Sequence, residues 1–457
     1  MRKIERAPLP TLLNSDKLIK LLSSKELSNL FNLIDEKYYY WDKVKYQELP
    51  EGVSHEDIWT IVKLRRMGTP FKINFGKYNF YWNVGSRLQG LLHFLDMNIG
   101  GSLESSSIVS YGDKNRYLIS SIMEEAIASS QIEGAITTRK KAKEMLRKKV
   151  KPKTKSEQMI VNNYISIQHI IEKKNEILTK EKLFYLHKLV TYNTLSSQDE
   201  EGFLRTDNDI NVVDTTDGSI VHHPPDYVEL DFLLNDLIKF FNEDDPDLFI
   251  HPLVKAIVIH FMIGFIHPFN DGNGRTARAL FYWYLLKKQY WLTEYLSISR
   301  LILRSKAQYA RAYQYSEIDD NDLTYFLSYN LRAMKLAFDE LREYIKRKNE
   351  EKKQISNLLG VDGINYKQTQ ILEWYIHEPT LLLTIKEVET RLGISNASAR
   401  IDLKQLVEKG YLEVRNINKR TIGFIKTNKL DTARKKGKNT LEKFEIKNQS
   451  IVQQSLF

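Results

Sequence analysis

The chain has 457 residues, 42% hydrophobic and 28% charged, with no cysteine and a formal net charge of +10. That length leaves room for roughly two to four domains. The missing cysteine excludes a disulfide framework, and no window approaches the ~18 consecutive apolar residues of a membrane helix. The N-terminal run 1–10 lacks the apolar core of a signal peptide, so these features point to a cytoplasmic, bacterial protein. The charge is uneven: residues 356–457 hold 17 Lys and Arg against 11 Asp and Glu, an excess of six.

From the N-terminus, residues 15–33 carry leucines at helical spacing, and residues 38–48 are dense in Tyr and Trp. Residues 71–84 alternate like a hairpin, and their aromatics read as core. No motif with a mechanism occurs here, so 1–104 forms an accessory region. Residues 117–134 read as an amphipathic helix with Leu118, Ile122, Ala126 and Ser129 in one stripe and Gly134 as its stop. Glu133 falls in its last turn, where a carboxylate is unfavourable without a cationic partner. Farther on, Gly202-Phe203-Leu204-Arg205 precedes two β-branched runs that flank 214–218 and end at Pro224-Pro225, a hairpin signal.

The run His267-Pro268-Phe269-Asn270-Asp271-Gly272-Asn273-Gly274-Arg275-Thr276-Ala277-Arg278 carries most of the chemistry. Apolar helices are expected on both sides, over 252–265 and 276–286. The Asp-Gly and Asn-Gly pairs permit positive φ and expose backbone N–H groups at a helix N-terminus, a ready anion site. Arg275 and Arg278 lie three apart in the first helical turn, near one face, where both can point at one anion. Asp271 is a hard oxygen ligand suited to Mg²⁺ held with substrate phosphates. His267 stands just before the loop, where it can act as a base on a hydroxyl. A zinc site built from His251, His260 and His267 has the right count but neither Cys nor a close His pair.

Beyond the loop, residues 320–354 form a long charged helix with Leu323, Phe326, Leu327, Leu331, Met334 and Phe338 at helical spacing. A helix over 365–376 follows, then a capping box at Thr384–Glu387 opening a helix to Leu392. Ser395 caps a third helix, closed by Gly410, and two strands flank 416–419. This order resembles a winged helix-turn-helix. Asn396, Ser398, Arg400 and Lys404 could face DNA bases or phosphates, or the module could dock a protein. The Lys/Arg-rich run 429–457 reads as a basic, flexible tail.

The twelve-residue run resembles the Fic motif, His-x-Phe-x-(Asp/Glu)-Gly-Asn-Gly-Arg-x-x-Arg, with every fixed position filled. Related Doc-type kinases carry Lys where this chain has Gly274. The resemblance implies a mainly α fold: a Fic helical bundle over 105–353 with a small β-hairpin flap, plus the winged helix-turn-helix over 354–428. It implies transfer of AMP from ATP to a protein hydroxyl. His267 is then the base, Asp271 the Mg²⁺ ligand, Gly272, Asn273 and Gly274 the anion nest, and Arg275 and Arg278 the phosphate holders. Ser129-x-x-x-Glu133-Gly134 resembles the family's inhibitory signature, on a helix over about 117–134, which implies that Glu133 pairs with Arg278 and blocks ATP. The hairpin corresponds to the flap, with Val212 and Val213 aligning the target. Implied partners are a target protein offering Tyr, Ser or Thr, the chain itself as a labelling substrate, DNA or protein at the winged helix, and a second copy as homodimer. Removal of AMP, transfer of UMP, phosphocholine or phosphate, and a nucleotide-sensing transcriptional regulator remain alternatives.

Overall fold

A computed structural model describes residues 4–68, 70–100, 114–213, 218–359, 364–418 and 421–432. It is mainly helical, with three two-stranded antiparallel hairpins among the described residues: β1 Phe71–Phe75 with β2 Tyr78–Trp82, β3 Val212–Val213 with β4 Ile220–His222, and β5 Leu412–Asn418 with β6 Thr421–Lys426. The chain forms two compact units. One holds 1–105, 124–138 and 152–338, and the other holds 106–123, 139–151 and 339–457. Among the described residues no helix is long and apolar enough to cross a membrane.

At the centre of the first unit lie the helices Pro252–Ile266 and Asn273–Lys287, buried on nearly every face. A helix that is apolar all round has to sit in the middle of a core. Helices Lys155–Lys173 and Lys180–Thr191 pack on the second of the pair, and Leu230–Asn242 packs on the first. Pro252 sits at the first turn, where its missing N–H costs nothing, and the His251 side chain accepts from Leu253 N. His251 also meets Asp96, and His260 meets the Tyr309 hydroxyl. The three histidines of the zinc alternative therefore have separate partners.

The N-terminal region belongs to this same unit. Residues 15–33 divide into Ser15–Ser23 and Lys25–Lys37, because the Ser24 hydroxyl caps the second helix by accepting from Leu27 N. The β1–β2 hairpin drives Phe80 edge-on against Phe261 and Phe265, at ring distances of 6.1 and 5.1 Å. Tyr81 bridges to Asp322. Behind it, Lys63 forms a buried pair with Asp319 at 2.8 Å.

The helix Lys114–Ile132 departs from the expected amphipathic pattern, since Ile122–Ser130 is buried on all sides. The polar residues there are consumed internally: Glu125 accepts from Ser299 N at 3.0 Å and from the Ser299 hydroxyl. Its last turn closes with Gly134 at φ 89° and with Ala135 N donating to Ser130 O. Lys306 Nζ covers the end carbonyls of Gln131 and Ile132.

In the second unit, Tyr366–His377 and Ile385–Leu392 both open with capping boxes, at Asn365/Gln368 and Thr384/Glu387. Ser395 caps Asn396–Glu408. β5 pairs with β6, Val414 opposite Phe424, and Leu383 bridges to Phe424. Ile371, Tyr375, Val388, Leu403, Leu406 and Phe424 are among its core. Arg400 and Lys404 are exposed, with Arg400 Nε donating to Asn396 and Lys404 near Glu408. The tail from residue 433 and the turn 419–420 lie outside the described residues.

Because Phe80 joins the N-terminal hairpin to the helix that ends at His267, Phe80→Ala should cost about 3–5 kcal/mol. Urea unfolding measures it, and a loss below ~1 kcal/mol would show that the hairpin is not part of this core.

Candidate active site

The run 267–278 joins the two central helices as a tight loop. His267 ends the first helix in the left-handed region, φ 48° and ψ 58°, with its N–H still donating to Ile263 O at 3.0 Å. That geometry throws the imidazole off the helix axis. Nδ1 lies 3.3 Å from Gly264 O, so the proton sits on Nδ1 and Nε2 keeps its lone pair. Burial pushes the ring's pKa down to about 4, with His222 and Arg205 adding to the effect. His267 is therefore a neutral acceptor at pH 7.

Three side chains hold the loop. Asn273 Oδ1 accepts from Phe269 N at 3.0 Å, and its Nδ2 donates to Phe269 O at 2.7 Å, closing the turn with one side chain. Arg205 Nε donates to His267 O at 2.9 Å, and the same guanidinium reaches Asp207 O and Pro225 O, tying the loop to both ends of the hairpin segment. His187 stacks on Phe269 at 3.7 Å. Its Nδ1 accepts from Gly202 N, so Nε2 donates to Asp271 O at 2.8 Å. Gly272 has φ 87°, and a Cβ there would lie 2.5 Å from Thr191 Cγ2 and 3.1 Å from His187 Nε2. Only glycine fits both constraints.

The loop delivers the first turn of Asn273–Lys287, whose leading N–H groups have no intrahelical acceptor. Arg278 points to this mouth with its side chain 4% exposed. Its Nε donates to Ser129 Oγ at 2.9 Å, and Nη2 donates to Ser129 O at 3.1 Å and to Glu133 Oε1 at 2.8 Å. The Glu133 carboxylate also lies directly against Gly274, where any Cβ would strike Oε1. A carboxylate thus rests where the helix end and the guanidinium both attract negative charge.

Arg275 and Arg278 share a turn but not a partner. Arg275 is buried, its Nη1 donates to Val190 O at 2.8 Å, and its Nη2 is 3.4 Å from Asp271 Oδ1. The expectation of two guanidiniums on one anion differs from this geometry, because the Val190 carbonyl holds Arg275 on the other side of the turn. Asp271 is 54% exposed and accepts from Gly272 N at 2.5 Å. Among the described residues no group of three His, Asp or Glu gathers as a metal site. Asp271 is one carboxylate facing solvent, which suits an ion that takes most ligands from phosphate and water.

Val212 pairs with His222 and Val213 with Ile220, with a bulge between. Residues 214–217 at the tip lie outside the described residues. His222 anchors the hairpin: Nε2 lies 2.8 Å from Phe265 O and Nδ1 2.5 Å from Glu317.

Residues 177–285 match the sequence model described as Fic/DOC family. The chain carries a Fic/DOC family domain. The Fic/DOC domain is similar to the "Protein adenylyltransferase Fic" of Aedes aegypti, 39% identical over 69 residues, which is 15% of this chain and 14% of that protein. It is also similar to "Protein adenylyltransferase fic-1" of Caenorhabditis elegans, 30% identical over 111 residues, 24% of this chain and 20% of that protein. The matches thus span a fifth or less of these curated relatives. Among solved structures, a Fic family protein from Desulfovibrio desulfuricans G20 aligns at 20% identity and TM-score 0.47, covering 76% of this chain and 97% of that one. Fic-1 (residues 134–508) of C. elegans aligns at 17% identity and TM-score 0.48, covering 71% and 86%.

His187, Arg205 and His222 were not singled out by the sequence as loop holders. His187 carried a signal: it shares the buried stripe of Lys180–Thr191 with Leu183, Leu186 and Val190, an odd place for an imidazole.

Two predictions follow from the Fic/DOC loop. Gly272→Ala should destabilise the protein by about 1–3 kcal/mol, and adding Thr191→Ser, which removes the colliding methyl, should restore part of that in thermal melts. No recovery would place the whole cost in backbone strain. Burial lowers His187 and His267 to about 4 from an ordinary 6.5. A lowered folded pKa gives stability that is present above ~6.5 and lost as pH falls through about 4. Urea midpoints should therefore drop between pH 6.5 and 4, less steeply in His187→Asn; an equal slope would refute the assignment for His187.

Proposed function

We propose that this chain transfers AMP from ATP to a hydroxyl side chain of a target protein, and that Glu133 restrains it. The observation that carries the reading is the Glu133 carboxylate bound to Arg278 and resting on Gly274 at a helix N-terminus. A group of that charge marks where a phosphate would be held. The relatives' printed names, adenylyltransferase, agree with it.

In this reading the target oxygen attacks the α-phosphorus of ATP, the bond to the bridging oxygen of the β-phosphate breaks, and pyrophosphate leaves. The hydroxyl proton goes to His267 Nε2, the ring atom left with its lone pair. Gly272, Asn273 and Gly274 present backbone N–H groups to the phosphates, and Arg278 balances their charge once Glu133 withdraws. Arg275 orients Asp271. Asp271 would hold Mg²⁺, which supplies charge neutralisation at the phosphates. Val212 and Val213 would pair with a strand-like target segment. Tyr, Ser and Thr hydroxyls of other proteins or of this chain are the acceptors. For the C-terminal helices the exposed Arg400 and Lys404 make DNA or a protein surface the proposed partner, which a mobility shift at stated salt separates.

Incubation with labelled ATP, Mg²⁺ and cell lysate tests the transfer. Glu133→Gly should raise incorporation by about tenfold or more, the factor that matches ~1.4 kcal/mol of relieved restraint. Adding His267→Ala should return it to background. A folded Glu133→Gly protein that labels no better than wild type with ATP would sink the restraint, and labelling with UTP but not ATP would replace the transferred group.

A further inference from the structure

The second unit contains a cavity of about 280 Å³ that the AMP-transfer reading does not use. Two arginines line it, Arg147 near the end of helix Arg139–Lys148 and Arg391 in the last turn of Ile385–Leu392. The Arg391 guanidinium lies over the Trp374 ring at 4.9 Å. Its Nε is buried with no hydrogen-bond partner among the described residues. Burial, and then the neighbouring Arg147, hold its pKa below the ordinary range. Glu387 and Glu378 offset part of this charge, yet neither bonds Nε. Glu387 is engaged by Thr384 N and the Thr384 hydroxyl in the capping box, and Glu378 is exposed at the rim.

Two like charges that share a partly buried cavity repel each other, and an unpaired guanidinium donor costs free energy. Both penalties vanish if an oxyanion stands between the forks, and guanidinium is the side chain best shaped to take phosphate oxygens in pairs. The remaining walls include the Trp374 and Tyr344 rings and the apolar Ile119 and Met123, which keep the local dielectric low and strengthen such a contact. At ~30 Å³ per water the space is roughly nine waters, more than a bare phosphate needs.

We propose that this cavity binds a small phosphate monoester, with its phosphate between Arg147 and Arg391 and its organic part against the aromatic wall. Ile119, Ser120 and Met123 belong to the helix Lys114–Ile132, which also carries Ser129. The occupant therefore touches the element that grips Arg278. That consequence rests on the AMP-transfer reading; the binding itself does not.

Calorimetry on the full chain tests the binding with two probes, inorganic phosphate and AMP. AMP should bind more tightly than phosphate. Arg391→Gln and Arg147→Gln should each weaken AMP by about tenfold or more, while Arg391→Lys, which keeps charge and stem but loses the fork, falls between. Arg278→Ala identifies the loop's own share: AMP heat that is lost in Arg278→Ala but kept in both Gln variants belongs to the loop and overturns the site. Near-UV circular dichroism checks that each variant is folded. Binding left intact in both Gln variants, or no heat from either probe at millimolar concentration, overturns the site. Equal affinities for the two probes overturn the monoester assignment. If AMP transfer fails in every variant while this binding persists, the functional reading fails and the cavity stands.

Discussion

Arg278 is a cation that the core has almost completely enclosed, and the surrounding architecture follows from the need to satisfy it. A guanidinium at 4% exposure needs hydrogen bonds at each face, because desolvation without them costs several kcal/mol. Ser129 provides two of them from the buried stretch of Lys114–Ile132. This explains why that stretch is buried all round although it is rich in polar residues. Glu125 fixes the helix to Ser299, Ser130 is bonded internally to Ala126 O and accepts from Asn163, and Ser129 is left facing the arginine.

The loop before Arg278 is rigid for an independent reason. It is held at its backbone carbonyls rather than at its reactive atoms. His187 takes Asp271 O, Arg205 takes His267 O and Asn273 takes Phe269 O. Carbonyls bound in this way leave the opposite side of the chain, with its N–H groups, turned toward the mouth. The His267 ring is oriented through Nδ1, and the Asp271 carboxylate through Oδ1, which preorganises both groups.

Much of this was legible in the residues. Glycines at 272 and 274, Asn273 and the two apolar flanks announced a turn between buried helices, and the capping box at 384 marked a helix start that the structure has. The divergence of the two arginines was not legible. Spacing of three puts Arg275 and Arg278 in one turn, but a long side chain can swing either way, and the Val190 carbonyl that captures Arg275 lies 85 residues upstream. The same limit hid His187, Arg205 and His222, which act through backbone atoms distant in sequence. Periodicity also misjudged 117–134, since a helix whose polar groups are all satisfied inside a core looks amphipathic on paper. The packing of the N-terminal hairpin on the central helix was equally invisible, because aromatic alternation says that a face is buried, not against what.

Glu133 is the least secure of the three bonds on Arg278, and that asymmetry bears on how the site could open. It stands beyond the last turn of a helix, where the dipole disfavours a carboxylate by about 0.3–1 kcal/mol. Its side chain is 26% exposed, so water competes for it in a way that it cannot for Ser129. Gly134 follows with positive φ and open space where a side chain would stand. In the proposed reaction an incoming polyphosphate would replace one partly solvated contact, while the two bonds from Ser129 stay on the guanidinium. An arginine held only by Glu133 would lose its orientation with its restraint. Here the two are separable, because a buried serine supplies the first and a partly solvated glutamate the second.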